Sequence, residues 1–203
     1  HYHFPWPYMD LVHFLGRVRK PTLVTYHSDV VRQRALMPLY RPLMNAFLSS
    51  VDRIVATSPN YLETSPVLQG FSNKTVVIPI GITDRTVCSG EVDVSGWKAR
   101  VGEGFFLFVG ALRYYKGLKF LIQAAQQTGL PVVIVGQGEM EAEIRLAALP
   151  NVNLLGVVED KDISALMQLA RAFVFPSHLR SEAFGVALLE AAMAGKPMIS
   201  CEI

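Results

Sequence analysis

Only two cysteines, Cys88 and Cys201, occur among 203 residues. They are too few for a disulfide scaffold and lack metal-site spacing, so a reducing compartment is the default. Charge is scarce as well: 18% of residues are charged, and 19 Lys+Arg against 17 Asp+Glu leave a net charge of +2. That near balance lacks the strong basic excess of a nucleic-acid binder. No uncharged apolar run reaches the roughly 18 residues of a bilayer-spanning helix, although the mean hydropathy is +0.30. No charged-then-apolar leader opens the chain. A disordered chain is excluded by the 51% hydrophobic content, since such chains are poor in apolar residues.

What is present is a rhythm. Short apolar, β-branched runs recur at Thr22–Tyr26, Arg53–Thr57, Thr75–Ile78, Phe105–Val109, Pro131–Val135, Val152–Leu155, Ala172–Phe175 and Met198–Ser200. Continuous apolar runs of this length suit strands buried on both faces of a parallel sheet. Helical stretches with clear punctuation lie between them. Ser58-Pro59 reads as an N-cap with Pro at the first helical position, Lys119–Thr128 is closed by Gly129, and Phe184–Ala194 ends at Gly195-Lys196-Pro197. Alternation of strand and helix predicts an α/β, doubly wound fold. The aperiodic interval from Gly81 to Gly104 marks a domain boundary near residue 100, giving domains at 1–100 and 101–203. The chain opens at His1-Tyr2-His3-Phe4 and closes on Pro197–Ile203, which reads as a buried strand. Both ends are expected to be internal positions of a longer protein.

In open α/β sheets, ligands bind at the carboxyl ends of the strands. The polar residues just past each strand are therefore the site candidates. After Phe105–Val109 comes Gly110-Ala111-Leu112-Arg113-Tyr114-Tyr115-Lys116-Gly117, where two glycines bracket Arg113 and Lys116 at a helix start. Backbone N–H groups, a helix dipole and two cations suit a diphosphate; the plainer reading is a loop with solvated cations. Gly136-Gln137-Gly138 lacks the full dinucleotide fingerprint and reads as a tight turn, which disfavours a dinucleotide-dependent oxidoreductase. Glu190 is the lone charge of the apolar helix Val186–Ala194, so it must be paired, hydrogen-bonded or presented to a ligand. Glu182 precedes that helix, where the Phe184 and Gly185 N–H groups are free to meet an anion. The two carboxylates are about two helical turns apart; a buried structural Glu190 and a capping Glu182 are the bland alternative. His27 sits at a strand's carboxyl end in Tyr26-His27-Ser28-Asp29. Asp160 and Asp162 open a helix and read as caps rather than a metal pair. Segment 30–48, apolar with Arg32, Arg34 and Arg41, fits either an anionic membrane surface or, more plainly, a helix packed on the sheet.

Together these motifs carry a resemblance. Ser181-Glu182-Ala183-Phe184-Gly185 through Glu190 and on to Gly195-Lys196-Pro197 resembles the Glu-x7-Glu signature of family 4 retaining glycosyltransferases (glycosyl transferases group 1). Gly110 through Gly117, Ile78-Pro79-Ile80-Gly81 and Tyr26-His27-Ser28-Asp29 add supporting matches. The resemblance implies the GT-B fold of two Rossmann-like, doubly wound parallel-sheet domains, both incomplete here. It implies that Lys116 and Arg113 bind the donor diphosphate in place of a metal, and that Gly110 lies at the same loop. Glu182 would contact the donor sugar near the Phe184 and Gly185 amides. Glu190 would accept from the ribose hydroxyls, the loop through Val158 would face the nucleobase, and His27 would line the reaction centre. The family commonly carries Arg where this chain has Ala111, so Arg113 is expected to substitute.

The implied activity is transfer of a sugar, with retention, from a nucleotide-sugar donor such as GDP-mannose to a glycan or lipid-linked acceptor in polysaccharide or lipopolysaccharide biosynthesis. Residues 1–100 would belong to the acceptor-side domain and 101–203 to the donor domain. Neither a metal nor another cofactor is expected, nor a nucleic-acid partner. The expected location is cytoplasmic, with a peripheral contact at the inner membrane face kept open, and the fragment alone is expected to be inactive. The alternative is a nucleotide-binding module without catalysis.

Overall fold

The computed structural model describes residues 1–30, 36–82, 92–179, 181–182 and 184–201. The chain divides into two compact units, His1–Gly81 with Arg180–Phe184, and Ile82–Leu179 with Gly185–Ile203.

The first unit alternates β1 (Tyr2–Phe4), α1 (Pro7–Leu15), β2 (Leu23–Tyr26), α2 (Met37–Ser50), β3 (Arg53–Ala56), α3 (Pro59–Thr64), α4 (Pro66–Gln69) and β4 (Thr75–Val77). Its four strands run parallel in the order β1-β2-β3-β4. The Ser58 cap is made as expected, its hydroxyl accepting from the Tyr61 N–H with Pro59 at the helix start. Helix α2 turns Met44, Phe47 and Leu48 into a core with Val24, Ile54 and Leu68. This is the packed-helix reading of segment 30–48, with Arg41 left exposed; Arg32 and Arg34 lie outside the described residues.

The second unit contains α5 (Val94–Val101), β5 (Phe106–Val109), α6 (Leu118–Thr128), β6 (Val132–Val135), α7 (Glu141–Ala147), β7 (Val152–Gly156), α8 (Asp160–Leu169), β8 (Ala172–Phe175), α9 (Val186–Met193) and β9 (Met198–Ser200). All five strands are parallel, in the order β7-β6-β5-β8-β9. Every residue of β6 and β8 is buried. Alternate residues feed two cores: Leu107, Val133 and Phe173 enter one, and Phe108, Ile134 and Val174 the other. The parallel α/β fold is therefore as the sequence predicts.

Two expectations are corrected here. The units part between Gly81 and Ile82 rather than near residue 100. The reason is α5: its Trp97 is buried in the second unit's core and its indole N–H donates to Asp162 Oδ1 at 2.9 Å. Among the described residues strand β9 is exposed along its whole length rather than buried, and pairs with β8 alone.

Candidate functional site

The strand order of the second sheet reverses direction at β5, whose neighbours are β6 on one side and β8 on the other. Connections run one way from β5 to β7 and the other way through β8 to β9. The crevice between β5 and β8 is thus a topological switch point, where open α/β sheets bind ligands at the strands' carboxyl ends. The chain segments leaving β5 and β8 decide what that crevice can hold.

Backbone contacts weld the carboxyl ends of this sheet's strands together. Gly110 N–H donates to Val135 O at 3.0 Å, Leu112 N–H to Gln137 O at 3.0 Å, and Gly136 N–H to Gly156 O at 2.7 Å. The repeated strand-then-glycine pattern at 109–110, 135–136 and 155–156 therefore marks three adjacent strand ends. At Gly136 a Cβ would lie 2.0 Å from Gly110 O, so the half-fingerprint Gly136-Gln137-Gly138 brings backbones together. Gly117 is the sharper case. Its φ is +70°, and a Cβ there would stand 1.8 Å from Pro176 O. Only glycine lets the β5 segment reach the β8 segment at that point. His178 N–H then donates to Tyr115 O at 3.3 Å, a second tie between the same two segments.

Lys116 is half-buried in this weld. Its Nζ lies 5.0 Å from the Phe175 ring centroid and 5.7 Å from that of Tyr115. Arg113 is exposed one 3₁₀ turn earlier, and its carbonyl accepts from Lys116 N–H at 3.0 Å. One turn thus carries both expected cations to the carboxyl end of β5, beside Gly110. Glu139 holds the turn from below, its Oε1 accepting from Tyr114 N–H at 3.2 Å.

The expected carboxylates belong to the stretch between β8 and β9. Glu182 and Phe184 are half-buried before α9, and buried Gly185 is that helix's N-cap, in left-handed geometry. Glu190 is half-buried inside α9. Each carboxylate has an interaction partner. The loop after β7 splits its two valines: Val157 is exposed, while the Val158 side chain packs against the core.

Asp160 and Asp162 do not cap their helix. The N-cap is Glu159, which makes no side-chain capping bond, and both Asp residues sit in the first turn, where the helix dipole favours them. Asp162 is occupied by Trp97. Among the described residues no group of three or more His, Cys, Asp or Glu is placed to hold a metal ion.

On the first sheet, His27 follows β2, and its N–H donates to Phe4 O at 2.9 Å. Its Nε2 shares a 2.7 Å hydrogen bond with His3 Nδ1, and the two rings stack at 5.0 Å with 14° between planes. Burial, and secondarily the charge of His3, hold the His27 imidazole below its ordinary pKa. His3 is missing from the sequence candidates because β1 is not read as a strand. The alternation His1-x-His3 was the available signal, since it puts both imidazoles on one strand face.

Comparison with known proteins agrees with this architecture. Residues 93–203 match the model for glycosyl transferases group 1, and residues 1–85 match that for Glycosyltransferase Family 4. Over its whole length the chain is 58% identical to 54% of a D-rhamnosyltransferase, WbpZ, of Pseudomonas aeruginosa. It is likewise 54% identical to 56% of the O-antigen chain mannosyltransferase C of Escherichia coli. The chain thus spans about half the length of these curated relatives. In structure, 95% of it superposes on 56% of Anabaena Alr3699/HepE, solved with UDP-glucose, at a TM-score of 0.75 and 22% identity. The superposition supports the GT-B assignment of the fold. With one family model covering more than half of its residues, the chain belongs to the glycosyl transferases group 1.

Proposed function

We propose that the protein of which this chain forms the described part transfers a sugar, with retention, from a nucleotide-sugar donor to a glycan or lipid-linked acceptor. The observation that carries the reading is the topological switch point, where the Gly117–Pro176 approach fixes Lys116 at the carboxyl end of β5. In that role Lys116 and Arg113 meet the donor's diphosphate. Departure of the nucleotide diphosphate raises negative charge there, and fixed cations stabilise that charge more in the transition state than in the ground state. Glu182 takes the donor sugar's hydroxyls beside the Phe184 and Gly185 amides, and Glu190 accepts from the ribose. For His27, in the first unit, the reading carries over the role that the resemblance implies. In this reading the two cations take the place of a metal, so turnover should survive EDTA.

The relatives' names narrow the donor. One is a mannosyltransferase and another a D-rhamnosyltransferase, and D-rhamnose is the 6-deoxy form of mannose. A nucleotide-activated mannose or its 6-deoxy analogue is therefore the proposed donor, as in GDP-mannose, and the product a cell-envelope polysaccharide. The work belongs on the cytoplasmic side, with the protein peripheral to the inner membrane face. No described helix is long and apolar enough to cross a bilayer.

The test is a donor screen on the protein at its natural length, read by nucleotide release with and without acceptor and with EDTA. Acceptor-dependent release from GDP-mannose or its 6-deoxy analogue is expected. Tight nucleotide binding without transfer from any donor would leave the non-catalytic binding module standing instead.

A further inference from the structure

Helix α1 is amphipathic in the reverse sense. A surface helix ordinarily buries its apolar stripe and exposes its polar one. In α1 the buried residues are Asp10 and His13, 1% and 8% exposed. Asp10 accepts from the Tyr40 hydroxyl, and His13 bonds Tyr2 and Ser50 through its two ring nitrogens. The outward face carries Tyr8 and Leu15, 67% and 72% exposed, with Leu11 and Phe14 beside them. Spacings of three and four residues put these four on one side of the helix. Trp6 before the helix and Val18 after it are also exposed. An apolar face this continuous, over a polar underside already satisfied by hydrogen bonds, marks a surface built to meet something.

The charge beside the face says what. Arg17, Arg19 and Lys20 follow α1 directly, and all three are exposed. Between residues 1 and 28 the sole acidic residue is the buried Asp10. The three cations also line a pocket of about 500 Å³ shared with Ser50. Asp52 lies on its wall, but its carboxylate already accepts from the Thr22 N–H at 2.7 Å and the Thr22 hydroxyl at 3.1 Å. An apolar stripe with interfacial Trp and Tyr, and cations at one end, fits the boundary of an anionic membrane: rings and aliphatics enter the acyl edge while the cations take phosphate headgroups.

We propose that the outer face of α1, with Arg17, Arg19 and Lys20, is the surface by which this protein docks on an anionic lipid bilayer. This deepens the membrane-side reading above and relocates it from segment 30–48 to α1.

The test needs no catalysis, so its failure and that of the proposed transfer reaction are separable. The protein at its natural length is sedimented with vesicles of phosphatidylcholine alone and of phosphatidylcholine mixed with phosphatidylglycerol. Binding to the mixed vesicles, weakened by salt, is expected. Replacing both Arg17 and Arg19 by Gln removes two headgroup contacts and should lower partitioning about 30-fold. The double variant Leu11→Asp, Leu15→Asp should lose binding to both vesicle types, with its circular dichroism unchanged because both positions are exposed. The proposal is overturned if the natural protein ignores anionic vesicles, or binds them equally well after all four changes. It is also overturned if the Asp variants instead dissociate a dimer, or if a cysteine-directed label at position 11 in a Leu11→Cys variant is blocked without lipid. Those last results would assign the face to a second copy or to another segment of the same protein.

Discussion

In the second sheet β6 and β8 are buried at every residue, and the segments leaving the strands are joined by main-chain atoms: Gly136 against Gly110 O, Gly117 against Pro176 O. In the first sheet side chains do the joining. The Tyr26 hydroxyl and the Ser65 hydroxyl both donate to Asp29 Oδ1 at 2.8 Å, the Asp29 N–H donates to the Tyr61 hydroxyl, and the buried Asp10 and His13 bond half-buried Tyr40 and exposed Ser50. The contrast has a consequence. A backbone weld leaves no room for substitution but does not titrate, whereas a side-chain network tolerates change in steps and responds to pH. The proposed diphosphate site is of the first kind, which suits a grip that must hold over a range of conditions.

The comparison can be broken most severely at Gly117. Ala there places a methyl group 1.8 Å from a main-chain oxygen at φ +70°, so the two segments must separate. The expected loss is at least about 3 kcal/mol of unfolding free energy by denaturant titration, with donor binding lost too. Retention of both would mean the segments are not held by that approach. The network in the first sheet should yield more gently. Tyr26→Phe removes one donor to Asp29 while Ser65 remains, an expected loss of about 1–3 kcal/mol by the same method.

Smaller still is a pH effect from Asp10. Burial raises its carboxyl above the ordinary value, against the lowering pull of Tyr40 and His13. The folded state therefore holds this proton more tightly than the unfolded chain. The contribution is full below about pH 3.8, the unfolded reference, and is lost as pH rises through the higher folded value. Asp10→Asn keeps an acceptor for Tyr40 and has no charge to desolvate, so its stability relative to the natural chain should climb as pH rises through that range. A pH-independent difference would contradict the burial argument. The least effect is expected at His3. In His3→Ala the His27 pKa, followed by imidazole proton resonances, should rise toward 6.5 but stay below it, because burial is the larger cause and remains. The folded state disfavours charged His27, so its stabilising contribution is present above 6.5 and fades as pH falls through its folded value.

Much of this was legible in the residues. The runs at 172–175 and 198–200 are strands to the residue, and the Ser58-Pro59 start is the observed cap. Such features are local, set by β-branched runs and by turn chemistry. The divide at Gly81–Ile82 was not legible, because α5 is assigned by where Trp97 packs, 65 residues from its partner Asp162. The placing of Lys116 and Arg113 on one strand end followed from spacing. The weld at Gly117 did not, since it depends on Pro176 arriving from the far side of the switch point. The reversed face of α1 was also hidden: Asp10 and His13 look solvent-facing until Tyr40 and Ser50 are brought onto them.

The central claim is that the switch-point cation Lys116 carries the leaving diphosphate's charge. It is tested most directly by Lys116→Ala in the protein at its natural length, with nucleotide release followed under saturating donor and acceptor. The account predicts a fall of about 10²–10³ in turnover, with folding intact. Turnover near that of the natural protein would contradict it.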